Sequence, residues 1–301
     1  MPNSRGVLYV AIGAKYAQEA LVSARSVKQH LPGLEIAMFT NHPPIDTGGI
    51  FDRIIPLETI HPKPHINKLI GMMNSPFAET LFLDTDTFVC GGLSELFELL
   101  DNFDMAMAHD RGYYETFPDN TGLPDVFPEF NQGVVVFRQS PQLKEVFEQA
   151  LQWTETLEAR TGVYSHDQPP LRIAIYLSEI RFAVLTQEFN CRFHSFGYLN
   201  GMVKILHGRI PGQLNTELNM SVIASKINKE TIPRVFVGGE VYVLGRKQFF
   251  SKSYNFSKRL TTLFHPTLAF YKTIFNRVRF IYAEQGLNGF SGLLHKFKKI
   301  P

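Results

Sequence analysis

Apolar residues along the first 110 positions alternate between the spacing of buried strands and that of amphipathic helices. Residues 6–12 form a short apolar run, and residues 16–30 then repeat apolar side chains every three or four positions. Further strands are predicted at 34–39, 53–56, 80–83 and 104–108, with a helix at 68–73. Strands that alternate with helices favour an α/β fold with a mostly parallel central sheet and helices on both faces.

The second half of the chain continues with less regular elements. Residues 110–130 are rich in Gly, Pro, Asp and Tyr and predict a long loop. The remaining predictions are strands at 134–137, 181–185 and 203–206 and helices at 142–156 and 166–177. We expect one catalytic domain over residues 1–245. Because right-handed crossovers place the carboxyl ends of parallel strands at one edge, Gly13, Thr40 and Asp84 are expected along a single rim.

Composition is that of an ordinary globular protein, with 44% hydrophobic and 19% charged residues. No run of eighteen apolar residues predicts a membrane span, and no signal-peptide cleavage pattern follows the first strand. The two cysteines, Cys90 and Cys191, are too few for a disulfide framework and lack the spacing of a zinc site. A cytoplasmic location is therefore expected.

Basic residues are concentrated at the C-terminal end, although the net charge is only +2. Residues 246–301 hold eleven Lys and Arg residues and one acid, Glu284, and residues 267–283 have helical apolar spacing. Two interpretations of this basic amphipathic segment stay open. It lies on the anionic inner face of a membrane, or it packs on the domain or on the partner of a homodimer. Nucleic-acid binding is not expected, because the rest of the chain is net acidic.

Two carboxylates one residue apart follow a strongly apolar predicted strand. Residues 81–87 read Leu-Phe-Leu-Asp-Thr-Asp-Thr, so Asp84 and Asp86 flank Thr85. A turn can bring both carboxylates onto one Mg²⁺ or Mn²⁺ ion, which would neutralise the charge on a departing diphosphate. A simple turn or cap, and the D-x-D motif of haloacid-dehalogenase-type phosphatases, are alternatives.

The order of the motifs resembles that of the retaining glycosyltransferases related to glycogenin and to lipopolysaccharide galactosyltransferases. The resemblance covers residues 6–210. Its features, in the family's order, are Lys68, the Asp84-Thr85-Asp86 motif, the Asn-x-Gly of Asn131, Gln132 and Gly133, the Asp167-Gln168 pair, and the His207-Gly208 pair. The resemblance implies the GT-A fold and transfer of a sugar from a nucleotide diphosphate sugar, UDP-sugars being the usual donors. The sequence does not identify the acceptor.

The resemblance also implies a role for each matching residue. Asp84, Asp86 and His207 would hold Mn²⁺ or Mg²⁺. Gln168 would lie near the anomeric carbon of the donor sugar and Asp167 would hold hydroxyl groups of that sugar, and these two would be the catalytic residues. The other residues implied in donor binding, besides Asp84, are Gly13, Tyr16, Lys68, Thr85, Asn131, Gln132, Gly133, Gly208 and Arg209.

The chain departs from the family's pattern in two places. The family often follows His-Gly with x-x-Lys-Pro-Trp, whose lysine contacts the diphosphate, whereas Arg209-Ile210-Pro211 follows here, and we expect Arg209 to make that contact. Pro169 stands where the family has a second aspartate. A metal-dependent phosphohydrolase or nucleotidyltransferase, and a non-catalytic sugar-nucleotide-binding protein, therefore stay open as alternatives.

Each single residue also has an ordinary structural explanation. Lys68 fits a solvated helix face, Asp167 a helix N-cap, Gly133 a packing position, and His207 a surface or core histidine. Asn131 would similarly be a residue that starts a strand.

Overall fold

The computed structural model describes residues 4–44, 46–57, 60–110, 123–124, 126–161 and 166–243. All of them belong to one unit, Met1–Val243. The predicted basic segment at 246–301 and most of the predicted loop at 110–130 lie outside the described residues, so both stay predictions. Within the described part of the chain, no helix is long and apolar enough to cross a bilayer.

The helices and strands follow the predicted alternation. The strands are β1 (Arg5–Ala11), β2 (Glu35–Thr40), β3 (Arg53–Pro56), β4 (Glu79–Leu83), β5 (Thr87–Val89), β6 (Met105–His109), β7 (Phe130–Arg138), β8 (Phe182–Leu185), β9 (Phe196–Leu199), β10 (Ile205–His207), β11 (Arg234–Val237) and β12 (Glu240–Val243). The helices are α1 (Ala14–His30), α2 (Pro64–Met73), α3 (Ser94–Glu98), α4 (Pro141–Thr161), α5 (Gln168–Tyr176) and α6 (Glu217–Ile227).

A seven-stranded sheet in the order β3-β2-β1-β4-β7-β6-β8 forms the centre of the fold. Neighbouring strands run parallel, except that β7 is antiparallel to both β4 and β6. The predicted mostly parallel sheet is therefore confirmed. Because β7 runs in the opposite direction, its first residues lie at the edge where β4 and β6 end. This reversal brings the Asn-x-Gly motif to the rim that carries Asp84.

Helices cover both faces of the sheet, as predicted. On one face, Ala20 and Leu21 of α1 share a buried apolar core with Tyr9 of β1. A second core lies on the other face and contains Leu69 of α2, Phe147 of α4 and Leu171 of α5. The strands contribute to it the alternate side chains, such as Leu8 and Phe82, which point away from α1. The alternation of side chains along each strand thus supplies apolar surface to both layers.

Two smaller sheets lie outside the central one. Of their five described strands, the sequence predicts β10 alone. Strands β5 and β10 form an antiparallel pair, and β9, β11 and β12 form a three-stranded antiparallel sheet. The predicted strand at 203–206 is β10, displaced slightly along the chain. Helix α6 was also not predicted. It begins with a capping box between Thr216 and Asn219, but much of its surface stays exposed, so its apolar periodicity is weak.

Candidate active site at the end of strand β4

The Asp-x-Asp motif occupies a tight turn between two buried strands. All five residues of β4 are buried, and the backbone N–H of Asp84 continues the ladder by donating to the carbonyl of Gly133, at 2.8 Å. The backbone N–H and the hydroxyl of Thr87 both donate to the carbonyl of Asp84, at 3.1 and 2.8 Å. Both aspartates therefore have fixed backbone positions.

A polar stripe on helix α1 holds the same turn. Three buried polar residues at positions i, i+4 and i+7 of α1 bond to alternate residues of the turn and β5. The bonds join Glu19 to the hydroxyl of Thr85 (3.1 Å), Ser23 to that of Thr87 (2.8 Å), and Ser26 to the N–H of Val89 (2.9 Å). Residues one turn apart on α1 thus bond to residues two positions apart along the turn and β5.

Strand β10 brings His207 to the two aspartates. His207 lies opposite Thr87 in the β5–β10 pair, and the next N–H, that of Gly208, donates to the carbonyl of Asp86 at 3.0 Å. The imidazole Nε2 lies 3.4 Å from a carboxylate oxygen of Asp86 and 3.7 Å from one of Asp84. The three residues thus offer ligand atoms within 4.8 Å of one another. Two carboxylates and an imidazole suit Mn²⁺.

The glycine of the Asn-x-Gly motif makes room for this imidazole. A Cβ atom at Gly133 would lie 2.0 Å from the nearest ring atom of His207. Gly133 is therefore a packing residue, and the group that it packs against is the candidate metal ligand.

Lys68 is a fixed cation between two carboxylates. Its ammonium lies 2.8 Å from Asp84 and 3.3 Å from Asp167. Burial alone would lower the pKa of Lys68, but the two carboxylates raise that pKa further than burial lowers it. The solvated-face interpretation of Lys68 is therefore wrong.

Asp167 occupies the N-cap position of α5, but its side chain makes no capping hydrogen bond. It is buried, with 6% of its surface exposed. Burial raises the pKa of Asp167, whereas Lys68, followed by His65 and His166, lowers it to a net value below the usual range. The simple helix-cap interpretation therefore fails, because the carboxylate faces Lys68.

Arg209 is a second fixed cation, and it contacts the second aspartate of the motif. Its guanidinium makes two hydrogen bonds to the fully buried carboxylate of Glu19, at 2.8 and 2.5 Å. A third nitrogen lies 3.0 Å from Asp86, and the guanidinium carbon lies 5.5 Å from the centre of the Tyr16 ring. Arg209, the residue expected to contact the diphosphate, thus has a defined place beside a candidate metal ligand.

The charges of this cluster leave room for a divalent cation. The cluster contains four carboxylates and two cations, so its net charge is −2 when His207 is neutral. The carboxylates are Glu19, Asp84, Asp86 and Asp167, and the cations are Lys68 and Arg209. Both the donor atoms and the net charge therefore fit Mn²⁺ or Mg²⁺.

A chain of side-chain hydrogen bonds leads from His207 toward the predicted donor-sugar pocket. It passes from His207 Nδ1 to Asn190 (2.9 Å), from Asn190 to Asn131 (2.9 Å) and from Asn131 to Asp110 (3.5 Å). Asp110 also accepts from Gln168 at 2.9 Å and from Arg192 at 2.5 Å. The predicted residues Asn131 and Gln168 are thereby brought to one carboxylate.

The remaining predicted donor-binding residues occupy different surroundings. Gln132 is 1% exposed, and neither polar atom of its amide has a partner among the described residues. Gly208 has a positive φ of 115° in close contact with the ring of His194, which only a glycine accepts readily. Gly13 also has a positive φ, and its N–H donates to the side chain of Asn41 on the rim, outside the charged cluster.

Comparison with known proteins identifies the family. The family model for glycosyl transferase family 8 matches residues 68–223, just over half of the chain. The chain belongs to glycosyl transferase family 8. The matched region contains the Asp pair, the Asn-x-Gly motif and His207. Family 8 membership makes the chain a glycosyltransferase and does not favour the phosphohydrolase and nucleotidyltransferase alternatives. No curated protein matches the sequence.

One solved structure supports the fold of this family 8 enzyme, and a second is also similar to it. The galactosyltransferase LgtC, solved in complex with donor and acceptor sugar analogues, aligns with a TM-score of 0.50 and 16% identity, over 73% of this chain and 95% of LgtC. The glycosyltransferase GlyE from Streptococcus pneumoniae TIGR4 aligns with a TM-score of 0.46 and 21% identity, over 64% of this chain and 48% of GlyE. The likeness to LgtC confirms the predicted GT-A fold.

Four residues of this family 8 site were not predicted from the sequence. Glu19 has a sequence signal, since Glu19, Ser23 and Ser26 repeat at helical spacing. Asp110 has one too, because it follows a predicted strand much as Asp84 does. Asn190 and Arg192 lie in a segment without periodicity, and the sequence offers no signal for either.

We expect Gly133→Ala to weaken Mn²⁺ binding by about 10–100-fold, the usual effect of disturbing the surroundings of a metal ligand. The new methyl group would displace the ring of His207. Titration of free Mn²⁺ by electron paramagnetic resonance measures this affinity. Gly92→Ala is the matched control, because a Cβ at that position meets no atom within 4 Å. Equal affinity in both variants would contradict the packing role of Gly133.

Proposed function

We propose that this family 8 enzyme transfers a hexosyl group from a UDP-sugar to an acceptor, with Mn²⁺ or Mg²⁺ held by Asp84, Asp86 and His207. The observation that supports the proposal is the cluster itself. It offers two carboxylates from one anchored turn and an imidazole from strand β10, and with His207 neutral it carries two uncompensated negative charges. An imidazole in the set favours Mn²⁺ over Mg²⁺.

The two fixed cations suit the departing nucleotide. When bound, a divalent ion supplies positive charge to the diphosphate as the sugar–phosphate bond breaks. Arg209 and Lys68 each contact a different aspartate of the ligand set, Asp86 and Asp84 respectively. Both side chains are already oriented by buried carboxylates, so little reorganisation is needed when charge develops on the leaving group.

The polar residues around Asp110 suit the hydroxyl groups of a sugar. Asp167 and Gln168 begin α5, with Asp167 held by Lys68 and Gln168 by Asp110. The unpaired amide of Gln132 supports a polar ligand nearby, since a buried amide without a partner costs about 1–3 kcal/mol. We assign these residues to the donor sugar.

The reaction passes through an oxocarbenium-like state at the anomeric carbon. In the retaining course, the acceptor hydroxyl attacks from the side on which the nucleotide leaves, and a diphosphate oxygen accepts its proton. Under this course no carboxylate has to act as a free base. That agrees with Asp167, whose pKa is lowered and whose charge is engaged by Lys68.

The test is nucleotide release from a panel of UDP-, GDP- and CMP-sugars, with and without Mn²⁺. We expect slow hydrolysis of a UDP-sugar that depends on the metal and falls by about 100-fold or more in Asp84→Asn and Asp86→Asn, since each loses a charged ligand. Asp46→Asn, an exposed aspartate outside the site, is the control. Metal-independent turnover, or no metal-dependent binding of any donor, would overturn the proposal. Release of phosphate from simple monoesters would favour the phosphatase.

A second prediction concerns Arg209. Arg209→Met should weaken UDP binding by about 10–100-fold, since a hydrogen bond to a charged group contributes about 1.5–3 kcal/mol. Binding of Mn²⁺ alone should not weaken, because Arg209 competes with the ion for Asp86. Calorimetric titration with UDP and with Mn²⁺ separates the two effects.

The control for this prediction removes the buried charge that Arg209 leaves behind. The double variant Glu19→Gln with Arg209→Met lacks the unpaired carboxylate, so it should keep a normal fold and still bind UDP weakly. Arg25→Met, at an exposed ion pair on α1, should bind UDP normally. Unchanged UDP affinity in the double variant would show that Arg209 does not contact the diphosphate.

A further inference from the structure

Asn190 joins the candidate metal ligand to the residues assigned to the donor sugar. Its side chain is buried, with 2% of its surface exposed, and it contacts His207 on one side and Asn131 on the other. The backbone beside it is clamped to β10: the N–H of Cys191 donates to the carbonyl of Ile205, and that of His207 donates to the carbonyl of Cys191, both at 2.9 Å. The position of Asn190 relative to the imidazole is therefore fixed by the main chain.

The direction of the hydrogen bonds is determined at Asn131. Its Oδ1 accepts from the backbone N–H of Gly133 at 3.1 Å, a group that can only donate. Its Nδ2 faces the carboxylate of Asp110, which accepts from Arg192. Both ends of the Asn131 amide are thus assigned by partners that have one possible role.

This direction carries through Asn190 to the ring. The Asn190 atom that faces Asn131 Oδ1 has to donate, so it is Nδ2, and the other atom, which faces His207, is the accepting oxygen. His207 Nδ1 therefore carries the proton and donates to Asn190. In the neutral ring the lone pair is then on Nε2, the nitrogen that faces Asp84 and Asp86.

We propose that Asn190 is a positioning residue that fixes the tautomer and orientation of His207, so that Nε2 is available to a divalent cation, and that the same amide holds Asn131 in the donor-sugar pocket. This rests on the proposed function in taking Asp84, Asp86 and His207 as ligands of the ion. One buried amide thereby ties the geometry of the metal site to that of the sugar site. Partners of this kind govern metal affinity in other proteins.

Two substitutions separate the two contacts of Asn190. In Asn190→Leu, which has similar volume, both hydrogen bonds are lost, and Mn²⁺ affinity without nucleotide should fall by about 10–100-fold. In Asn190→Asp, one oxygen still accepts from Nδ1, so Mn²⁺ affinity should stay within about threefold of the native value. Its other oxygen cannot donate to Asn131, so the KM for the donor sugar should rise by about tenfold, the loss of one hydrogen bond of about 1.4 kcal/mol.

The control is Asn228→Asp, because the Asn228 side chain bonds to the backbone of Val203, away from the metal cluster. It should change neither Mn²⁺ affinity nor donor KM. Near-ultraviolet circular dichroism establishes that each variant is folded. A general structural role for Asn190 would lower the Mn²⁺ affinity and raise the donor KM together in both variants, and this outcome would overturn the proposal.

A measurement on the native protein does not depend on the folding of any variant. Long-range ¹H–¹⁵N correlation of histidine-labelled protein, without metal, reports which ring nitrogen of His207 carries the proton, with His207→Gln used to assign the signal. We expect a proton on Nδ1, with or without a second proton on Nε2 beside the two carboxylates, and a ring that carries its only proton on Nε2 would overturn the proposal. If native protein binds no Mn²⁺, the proposed metal dependence fails, whereas the tautomer still decides the role of Asn190.

Discussion

Two carboxylates held side by side in a largely buried site are the constraint on which the rest of this structure depends. Asp84 and Asp86 cannot both stay charged there without compensation, because like charges close together in a buried environment are strongly unfavourable. Lys68 compensates Asp84 and Arg209 compensates Asp86, and each cation is itself held by a further carboxylate, Asp167 or Glu19. The arrangement lowers the repulsion without cancelling it, and it leaves the charge that a divalent ion would neutralise.

The fold provides the anchoring that such a cluster needs. Helix α1 fixes the turn through its polar stripe, the β5–β10 pair fixes His207, and the reversed strand β7 places Gly133 against the imidazole. Each contribution comes from a different part of the chain. Preorganised charge of this kind is most effective when the groups do not have to move during the reaction. The same framework extends through Asn190 to the residues assigned to the donor sugar.

The local features of this site could be predicted from the sequence, because each is a short motif tied to one element. The apolar strand before Asp84, the Asn-x-Gly motif and the His-Gly pair can be recognised in isolation, and the order of the motifs was enough to predict the GT-A fold. The alternation of apolar spacing likewise predicted the central sheet and its covering helices.

The contacts that assemble the site could not be predicted, because they depend on pairings between distant segments. Nothing local shows that β7 is antiparallel to its neighbours, or that β10 pairs with β5 instead of joining the central sheet. Asn190 and Arg192 lie between short irregular elements, where apolar residues follow neither the spacing of a helix nor that of a strand. The sequence left two explanations open for Lys68 and two for Asp167, one functional and one structural in each case. Only the contact between the two side chains decides which explanation holds.

The most direct test of the central claim is pulsed electron paramagnetic resonance of Mn²⁺ bound to the enzyme together with UDP. We expect ¹⁴N coupling from one imidazole and ³¹P coupling from the diphosphate on the same ion, with the ¹⁴N signal lost in His207→Gln. Bound Mn²⁺ that shows phosphorus coupling without nitrogen coupling, or nitrogen coupling that persists in His207→Gln, would contradict the assignment of this cluster as the metal site.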